Sequence, residues 1–574
     1  MARYRSWSAR HIAGRYLPAL LLVILAVADM LTLAHPRGAT SGVAEAFALD
    51  DLGWGRQGII ITALILLLVA RALARGKRQA WLLSVGLVAF SFVATLTERT
   101  SRPTLLLLLG LLLTLLVLAP LFPARSDPRA LTRGYAALLL GLVTLLGHGT
   151  IHILIHMGRA DILLFEPRGL LYVLRAAAYL LLSYGVVEVL RPVLRMRDTP
   201  ATERERADEI VRLHGRCGLA HFALGSSLSY FWSDSRCSFI AYRASHGIAL
   251  VLGDPIGPQE ELAPLVHAFR AFCHKQDWQP AIYQASPQTL ALLARDAIHA
   301  IKIGEEAIVD TATFTLRGKI GASVRHAVAR AKRGGISIRC WQGEAIPESV
   351  FAGMKRISAA WLHARHTRNQ MGFSMGRFPT DWSSDLLTAA ALTADGEVQA
   401  FVTWTPLYAG DGWTLDTMRR AVEAVPGTME YLIAASVEWA QMRGYRHMSL
   451  SLAPLSCLGN ELKDLTTAPP SRRWRISSSA RLLQRTGGYL HRRGLLLGNY
   501  RSLSFFKQKF QPVWEPRYLV VEDVSTLPRV LHALASVHGM RWRTVLYEAV
   551  TALRSPKQSV LPDAVWPARR ATSF

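Results

Sequence analysis

Two lysines two residues apart, Lys507 and Lys509, stand among Phe505, Phe506 and Phe510 in the stretch Ser504–Val521. In an extended segment such a pair points to one side. There it can hold a phosphate or an oxyanion at two points, and a solvated strand face is the ordinary alternative. Turns are expected at Pro512 and Pro516, followed by a short strand at Tyr518–Val521. A second constellation is Leu415–Arg420, where Asp416 precedes Arg419 and Arg420 at the end of a strand that opens toward a cleft. An acid and a cation three apart make either a plain ion pair or a working pair. In the second case the carboxylate handles a substrate amine or hydroxyl while the cation holds phosphate.

Three further groups suit anions. Gly427-Thr428-Met429-Glu430 starts a helix whose backbone N–H groups are available to a negative charge. The basic helix Lys319–Arg333 carries Arg325 and Arg330 together with His326, Lys332 and Arg333, a face suited to phosphates; a solvated face is the alternative. Arg472–Arg493 holds a run of arginines with Trp474 and Tyr489 and no acid. That composition suits salt-sensitive binding to RNA or to an anionic bilayer. Gly253–Pro258 closes a strand and opens a helix, with Asp254 as its expected cap; a purely structural turn is an equal reading.

Other chemistries lack their marks. There is no Walker loop, no G-x-G-x-x-G after a strand, no G-x-S-x-G elbow and no H-E-x-x-H. Cys217, Cys237, Cys273, Cys340 and Cys457 are scattered, with no C-x-x-C, which argues for reduced and largely buried thiols rather than a disulfide framework or zinc ribbon. No metal and no cofactor is expected.

The elements that must position these groups fall into two regions. The chain has 574 residues, 51% of them hydrophobic, and a net charge of +25. Its apolar residues concentrate in the first third. Six runs, near 17–34, 57–74, 80–97, 103–122, 135–155 and 169–190, are long enough or nearly so to cross a bilayer. The first is not expected to be a cleaved signal, since no clear small-residue cleavage site follows it. Basic clusters at Arg3–Arg15, Arg75–Arg78, Arg125–Arg133 and Arg191–Arg197 alternate with loops poorer in them. The positive-inside rule then puts both ends in the cytoplasm. His148, His152 and His156, four apart, line one helix face and are either ligands or groups bonded to neighbouring helices. Arg175, in mid-span, must face the bundle or a lipid phosphate.

After a charged linker, strand-like and helix-like runs alternate. Strands are expected at Cys237–Arg243, Gly247–Gly253, Ala281–Gln284, Ile336–Cys340, Val398–Thr405, Gly412–Asp416 and His447–Leu452. Helices are expected at Glu260–His274, Pro287–Arg295, Lys319–Arg333, Glu348–His366 and Thr428–Arg443. This is an α/β or α+β pattern, long enough for two similar units.

Gly253–Pro258, Ser374–Phe378, Asp416–Arg420, Gly427–Ile433, Ser451–Ser456 and Phe505–Val521, in this order, resemble the bacterial aminoacyl-phosphatidylglycerol synthase family, the phosphatidylglycerol lysyltransferases or multiple peptide resistance factors. The resemblance spans about Asp208 to Val521. It implies tandem GCN5-type acyltransferase-like folds behind a six-helix transmembrane bundle. The expected divisions are a transmembrane domain at 1–192, a linker at 193–207, acyltransferase-like folds at 208–367 and 368–535, and a helical tail at 536–574. It implies a tunnel that takes aminoacyl-tRNA at one mouth and phosphatidylglycerol at the other. The aminoacyl ester is already activated, so the lipid's glycerol hydroxyl displaces the tRNA without ATP.

By the same resemblance Asp416 lies at the reacting centre, Arg419 holds the lipid phosphate, and Lys507 or Lys509 faces the tRNA end. Arg377, Glu430, Asp254, Arg325, Arg330 and Arg420 are assigned to substrate binding. The product, a less anionic or cationic lipid, alters membrane charge and resistance to cationic antimicrobial peptides. Phe505-Phe506 departs from the commoner aromatic-basic-aromatic run. The alternatives are transfer to another lipid or a peptide, or a non-enzymatic tethered protein that binds tRNA and lipid. The expected partners are aminoacyl-tRNA, phosphatidylglycerol and anionic inner-leaflet lipid, with self-association through the membrane helices.

Overall fold

The computed structural model describes residues 9–34, 55–97, 102–156, 167–192, 199–293, 298–364, 372–374, 376, 378, 385–454 and 500–539. The chain divides into two compact units, one of residues 1–195 with 271–278 and one of 196–270 with 279–574.

The first unit holds helices α1 (Ala9–Ala34), α2 (Gly55–Ala74), α3 (Arg78–Thr97), α4 (Arg102–Val117), α5 (Pro128–His156) and α6 (Pro167–Val189). Each apolar run of the sequence therefore forms a helix. Glycines let one pair approach closely: a Cβ on Gly134 would lie 2.9 Å from the Val189 nitrogen, and one on Gly185 would lie 3.0 Å from the Gly134 oxygen. Among the described residues, only Pro128–Ile151 and Gly169–Val189 are long and apolar enough to cross a membrane. A bundle of six spans is thus more than these helices establish. His148 is buried; the side chains of His152 and His156 lie outside the described residues.

Among the described residues the second unit is built on one mixed sheet of eleven strands: β1 (Ser229–Trp232), β2 (Phe239–Ser245), β3 (Ile248–Leu252), β4 (Gln279–Ala285), β5 (His299–Asp310), β6 (Ser337–Trp341), β7 (Leu387–Leu392), β8 (Val398–Leu407), β9 (Gly412–Arg420), β10 (His447–Pro454) and β11 (Val513–Val521). Their order across the sheet is β1-β2-β3-β4-β11-β5-β10-β9-β8-β7-β6. The pairing is antiparallel except at β3/β4 and β9/β10. Each parallel pair is joined by a crossover helix, α8 (Gln259–Lys275) in one half and α12 (Thr428–Met442) in the other. The same topology thus occurs twice. Continuous apolar runs such as Ile248–Leu252 are buried throughout, because helices cover both sheet faces.

One face packs α10 (Ala322–Arg333), α12 and α13 (Tyr500–Gln508) against Ala307, Val402, Trp404, Trp413, Leu415 and Met448. The opposite face carries α7 (Ala201–His214) and α14 (Leu527–Val537) over Leu250, Leu252, Leu519 and Val521. It also carries α11 (Glu348–Ala364) over Ala390, Val398 and Phe401. The short helix α9 (Pro287–Leu292) is capped by Ser286.

Two expectations for the C-terminal stretch are corrected. Tyr500–Gln508 is a helix rather than an extended segment, so Lys507 and Lys509 do not share a side. Its apolar residues favour this outcome, since Phe506 and Phe510, four apart, both enter the core. Pro516 is no turn but lies inside β11, opposite Glu305. Pairing of β11 with β4 begins only at Tyr518, so Pro516 sits where the strand still has an open edge and its missing N–H is tolerated.

Candidate functional site

The site begins with an irregularity in the β8/β9 ladder. Thr403 is opposite Thr417 and Trp404 is opposite Leu415, which leaves Asp416 as an extra, unopposed residue. This β-bulge shifts the alternation of side chains along β9. Before it, Leu415 faces the α12 side; beyond it, Met418 does. Asp416 and Arg419 therefore share the opposite face although they are three apart, a spacing that would separate them in a regular strand. Arg419 is 5% exposed; it donates to Ser358 Oγ and lies 4.8 Å from the Trp361 ring, both on α11. Arg420, beyond the same bulge, falls on the other face, opposite Ala400.

The Asp416 carboxylate accepts a hydrogen bond from the Gly376 amide at 2.6 Å, with longer contacts from Thr417 Oγ1 at 3.3 Å and Thr403 Oγ1 at 3.4 Å. A Cβ at position 376 would stand 1.9 Å from Asp416 Oδ2, so the backbone comes this close only because residue 376 is glycine. Burial pushes the Asp416 pKa up to about 6, and the amide, the hydroxyls and the Arg419 charge oppose that shift only in part.

A gap opens beside this carboxylate. β9 and β10 pair from Gly412/His447 to Thr414/Ser449, yet both strands run on. Past that point β10 has its own bulge between Ser449 and Leu452, with Ser451 at φ 64°. Ser451 Oγ crosses to the Leu415 carbonyl, next to Asp416. From the other face, the Lys507 ammonium of α13 donates to the Ser451 and Leu452 carbonyls, each at 2.9 Å. Lys507 is 4% exposed, and burial lowers its pKa to about 7 against the pull of Glu306. An ammonium has three donors, and among the described residues two of them are used here. A carboxylate and an ammonium thus flank the gap from opposite faces of the sheet.

The remaining expected residues are placed as follows. Lys509 and Glu430 pair with each other at 2.9 Å. Glu430 lies in the first turn of α12, where a negative charge is favourable. Gly427, at φ 93°, packs on the Ala327 carbonyl of α10. Asp254 does not cap the helix that follows it; it accepts from Ser286 N at 2.9 Å and Thr289 Oγ1 at 2.6 Å, tying its loop to α9. Arg325 donates to the Leu316 and Gly318 carbonyls, whereas Arg330 is exposed on α10. Arg377 and the arginine-rich stretch 472–493 lie outside the described residues. Of the cysteines, Cys273 is buried, Cys217 and Cys340 are half-buried, and Cys237 is exposed.

Sequence reasoning missed a buried polar row on the Asp416 face. Glu306 accepts from Arg517 Nε at 2.8 Å and from Ser449 Oγ, one residue each from β5, β11 and β10. The signal present was Glu305-Glu306, with Lys302, inside the largely apolar run Ala300–Val309, which charged residues rarely enter unless paired.

Residues 209–521 match the family described as phosphatidylglycerol lysyltransferase, C-terminal. A bifunctional lysylphosphatidylglycerol biosynthesis protein, LysX, of Mycobacterium avium is 31% identical over 56% of this chain and 26% of its own length. The LysX of Nocardia farcinica is 27% identical over 97% of this chain and 50% of its own. The chain therefore spans between a quarter and half of these relatives. Among solved structures, L-PGS from Bacillus licheniformis is 25% identical, with a TM-score of 0.49 over 59% of this chain and 97% of that one.

Proposed function

The chain belongs to the phosphatidylglycerol lysyltransferase C-terminal family, and from that membership we propose that it moves an aminoacyl group from aminoacyl-tRNA to the glycerol hydroxyl of phosphatidylglycerol. The observation that carries the reading is the buried, bulge-borne Asp416 carboxylate at the mouth of the β9/β10 gap, with the Lys507 ammonium across from it. A carboxylate whose pKa is near 6 is ionised at neutral pH yet basic enough to accept a hydroxyl proton.

In this mechanism the lipid hydroxyl gives its proton to Asp416 as its oxygen attacks the ester carbonyl. The tetrahedral oxyanion is met by the third N–H of Lys507. The C–O bond to the tRNA ribose then breaks, and the proton returns to the leaving oxygen. Electrostatic stabilisation of this kind contributes about 10²–10³ in rate per donor. Arg419, on the same face as Asp416, is the group for the lipid phosphate. On the other face, Arg330 and Lys332 of α10 and Lys509 beside α12 form a basic surface suited to the RNA backbone.

We read the two topological repeats as tandem acyltransferase-like halves, with β11 and α14 completing the first. The helices α1–α6 are read as a membrane domain with both ends cytoplasmic. The resulting lipid lowers the negative charge of that membrane and its affinity for cationic peptides. The test is direct. Full-length protein in phosphatidylglycerol vesicles receives tRNA charged with radiolabelled lysine, alanine or arginine, and label is followed into the chloroform phase. Lipid-soluble label that requires phosphatidylglycerol supports the reading. Binding of charged tRNA without its consumption overturns it.

A further inference from the structure

The loop that holds Asp416 also carries Ser374, which meets His538 at the C-terminal end of α14. Ser374 Oγ lies 2.8 Å from His538 Nε2, and His538 Nδ1 lies 2.8 Å from the Leu534 carbonyl. A carbonyl only accepts, so Nδ1 bears the imidazole proton and Nε2 accepts from the Ser374 hydroxyl, whose oxygen in turn takes the proton of the Tyr283 phenol that also bonds it. Hydroxyl, imidazole and an orienting acceptor in this order are the arrangement of an activated serine, here with a main-chain carbonyl of α14 in the third position.

Three surroundings reinforce it. His538 is 8% exposed and packed edge-on against Phe373 and Tyr283, with ring centroids 5.4 and 5.8 Å away, so the imidazole cannot turn freely. Burial lowers its pKa from the ordinary 6.5, which keeps the ring neutral and able to act as a base at pH 7. Phe373, immediately before the serine, is held at φ 69°, a costly conformation for an aromatic residue. His538 also lies beyond residues 209–521, outside the segment matched by the family.

We propose that Ser374 is a second nucleophilic centre, which takes up an acyl group from an activated ester with His538 as its base. Ser374 Oγ bonds to the acyl carbon while its proton moves to His538 Nε2. The ester C–O bond then breaks and the leaving oxygen takes that proton. Water or an alcohol reverses the sequence by giving its own proton to Nε2 and releasing the serine. The proposed step does not depend on lipid aminoacylation.

The test treats the full-length protein in detergent micelles with a fluorophosphonate-biotin probe and locates the adduct by peptide mass spectrometry. Label is expected on Ser374, absent in Ser374→Ala, and formed about 10²–10³-fold more slowly in His538→Gln, within the range of general-base contributions. In the unaltered protein the labelling rate should rise with pH through the titration of one histidine below 6.5 and then level off, a readout that needs no variant to fold. Absence of label on Ser374, equal labelling of His538→Gln, or a rate without that step overturns the proposal. The pair would then serve only to tie the loop to α14.

Discussion

The Gly376 amide donates to Asp416 Oδ1 at 2.6 Å, and this contact exists only because residue 376 lacks a side chain. Gly376→Ala must push either the loop or the bulge aside, since a Cβ at 1.9 Å from Oδ2 has no room. Overpacking of this type costs about 1–3 kcal/mol. We expect Gly376→Ala to fold with a lower melting temperature and to transfer aminoacyl groups at least tenfold more slowly. Wild-type rates in the vesicle assay would show that the amide does not orient the carboxylate.

The pH profile should be a narrow bell. In the proposed mechanism transfer uses ionised Asp416, with a pKa of about 6, and protonated Lys507, with a pKa of about 7. The rate should therefore climb through pH 6 and fall again above pH 7, and Lys507→Met should be slowed about 10²–10³-fold.

Stability runs differently. The folded state raises the Asp416 pKa above its ordinary 3.8, so this group favours folding most below pH 3.8, and that contribution is lost as pH rises through about 6. Asp416→Asn, measured at pH 7, should accordingly abolish transfer while raising the melting temperature. A lower melting temperature for this variant would contradict the pKa assignment.

Glu306 and Arg517 are both buried and bonded at 2.8 Å. Removal of Glu306 leaves the buried Arg517 with only the more open Glu515 carboxylate at 3.2 Å, and breaking a buried pair costs about 3–5 kcal/mol. Glu306→Leu should destabilise strongly, and the double variant Glu306→Leu with Arg517→Leu should regain most of the loss. Thermal melting of the three variants measures the coupling.

The Lys509–Glu430 pair is more open, with side chains 35% and 12% exposed. A double-mutant cycle on stability should give only about 0.2–1 kcal/mol. If Lys509 serves the RNA, its alanine variant should weaken tRNA binding and flatten the dependence of affinity on salt.

Much of the architecture could be read from residue patterns. The β3 and β10 strands and the crossover helices α8 and α12 announce themselves by apolar runs and by periodicity. The edge strand β1 is only four residues long, and β7, Leu387–Leu392, is half alanine; neither offers a strong pattern. Lys-x-Lys suggests one shared side only if the segment is extended, and the i, i+4 pair Phe506/Phe510 is the better guide to the helix that forms. At the site, Asp416 and Arg419 were visible as a pair. What brings them to one face is a bulge, set by how β8 meets β9, and no local residue type records that. The same holds for Gly376, Ser451 and His538, which become relevant only when segments distant in sequence meet.

Strand β11 is the last of the sheet to leave the ribosome, yet it lies between β4 and β5, hydrogen-bonded to both. The early-made half therefore waits through synthesis of the entire later half with a slot open in its middle. Closure of so distant a contact is slow and leaves unpaired strand edges exposed meanwhile. Truncation upstream of Val513 should yield neither half as a soluble fragment, and nascent chains should acquire protease resistance only after residue 521 has emerged.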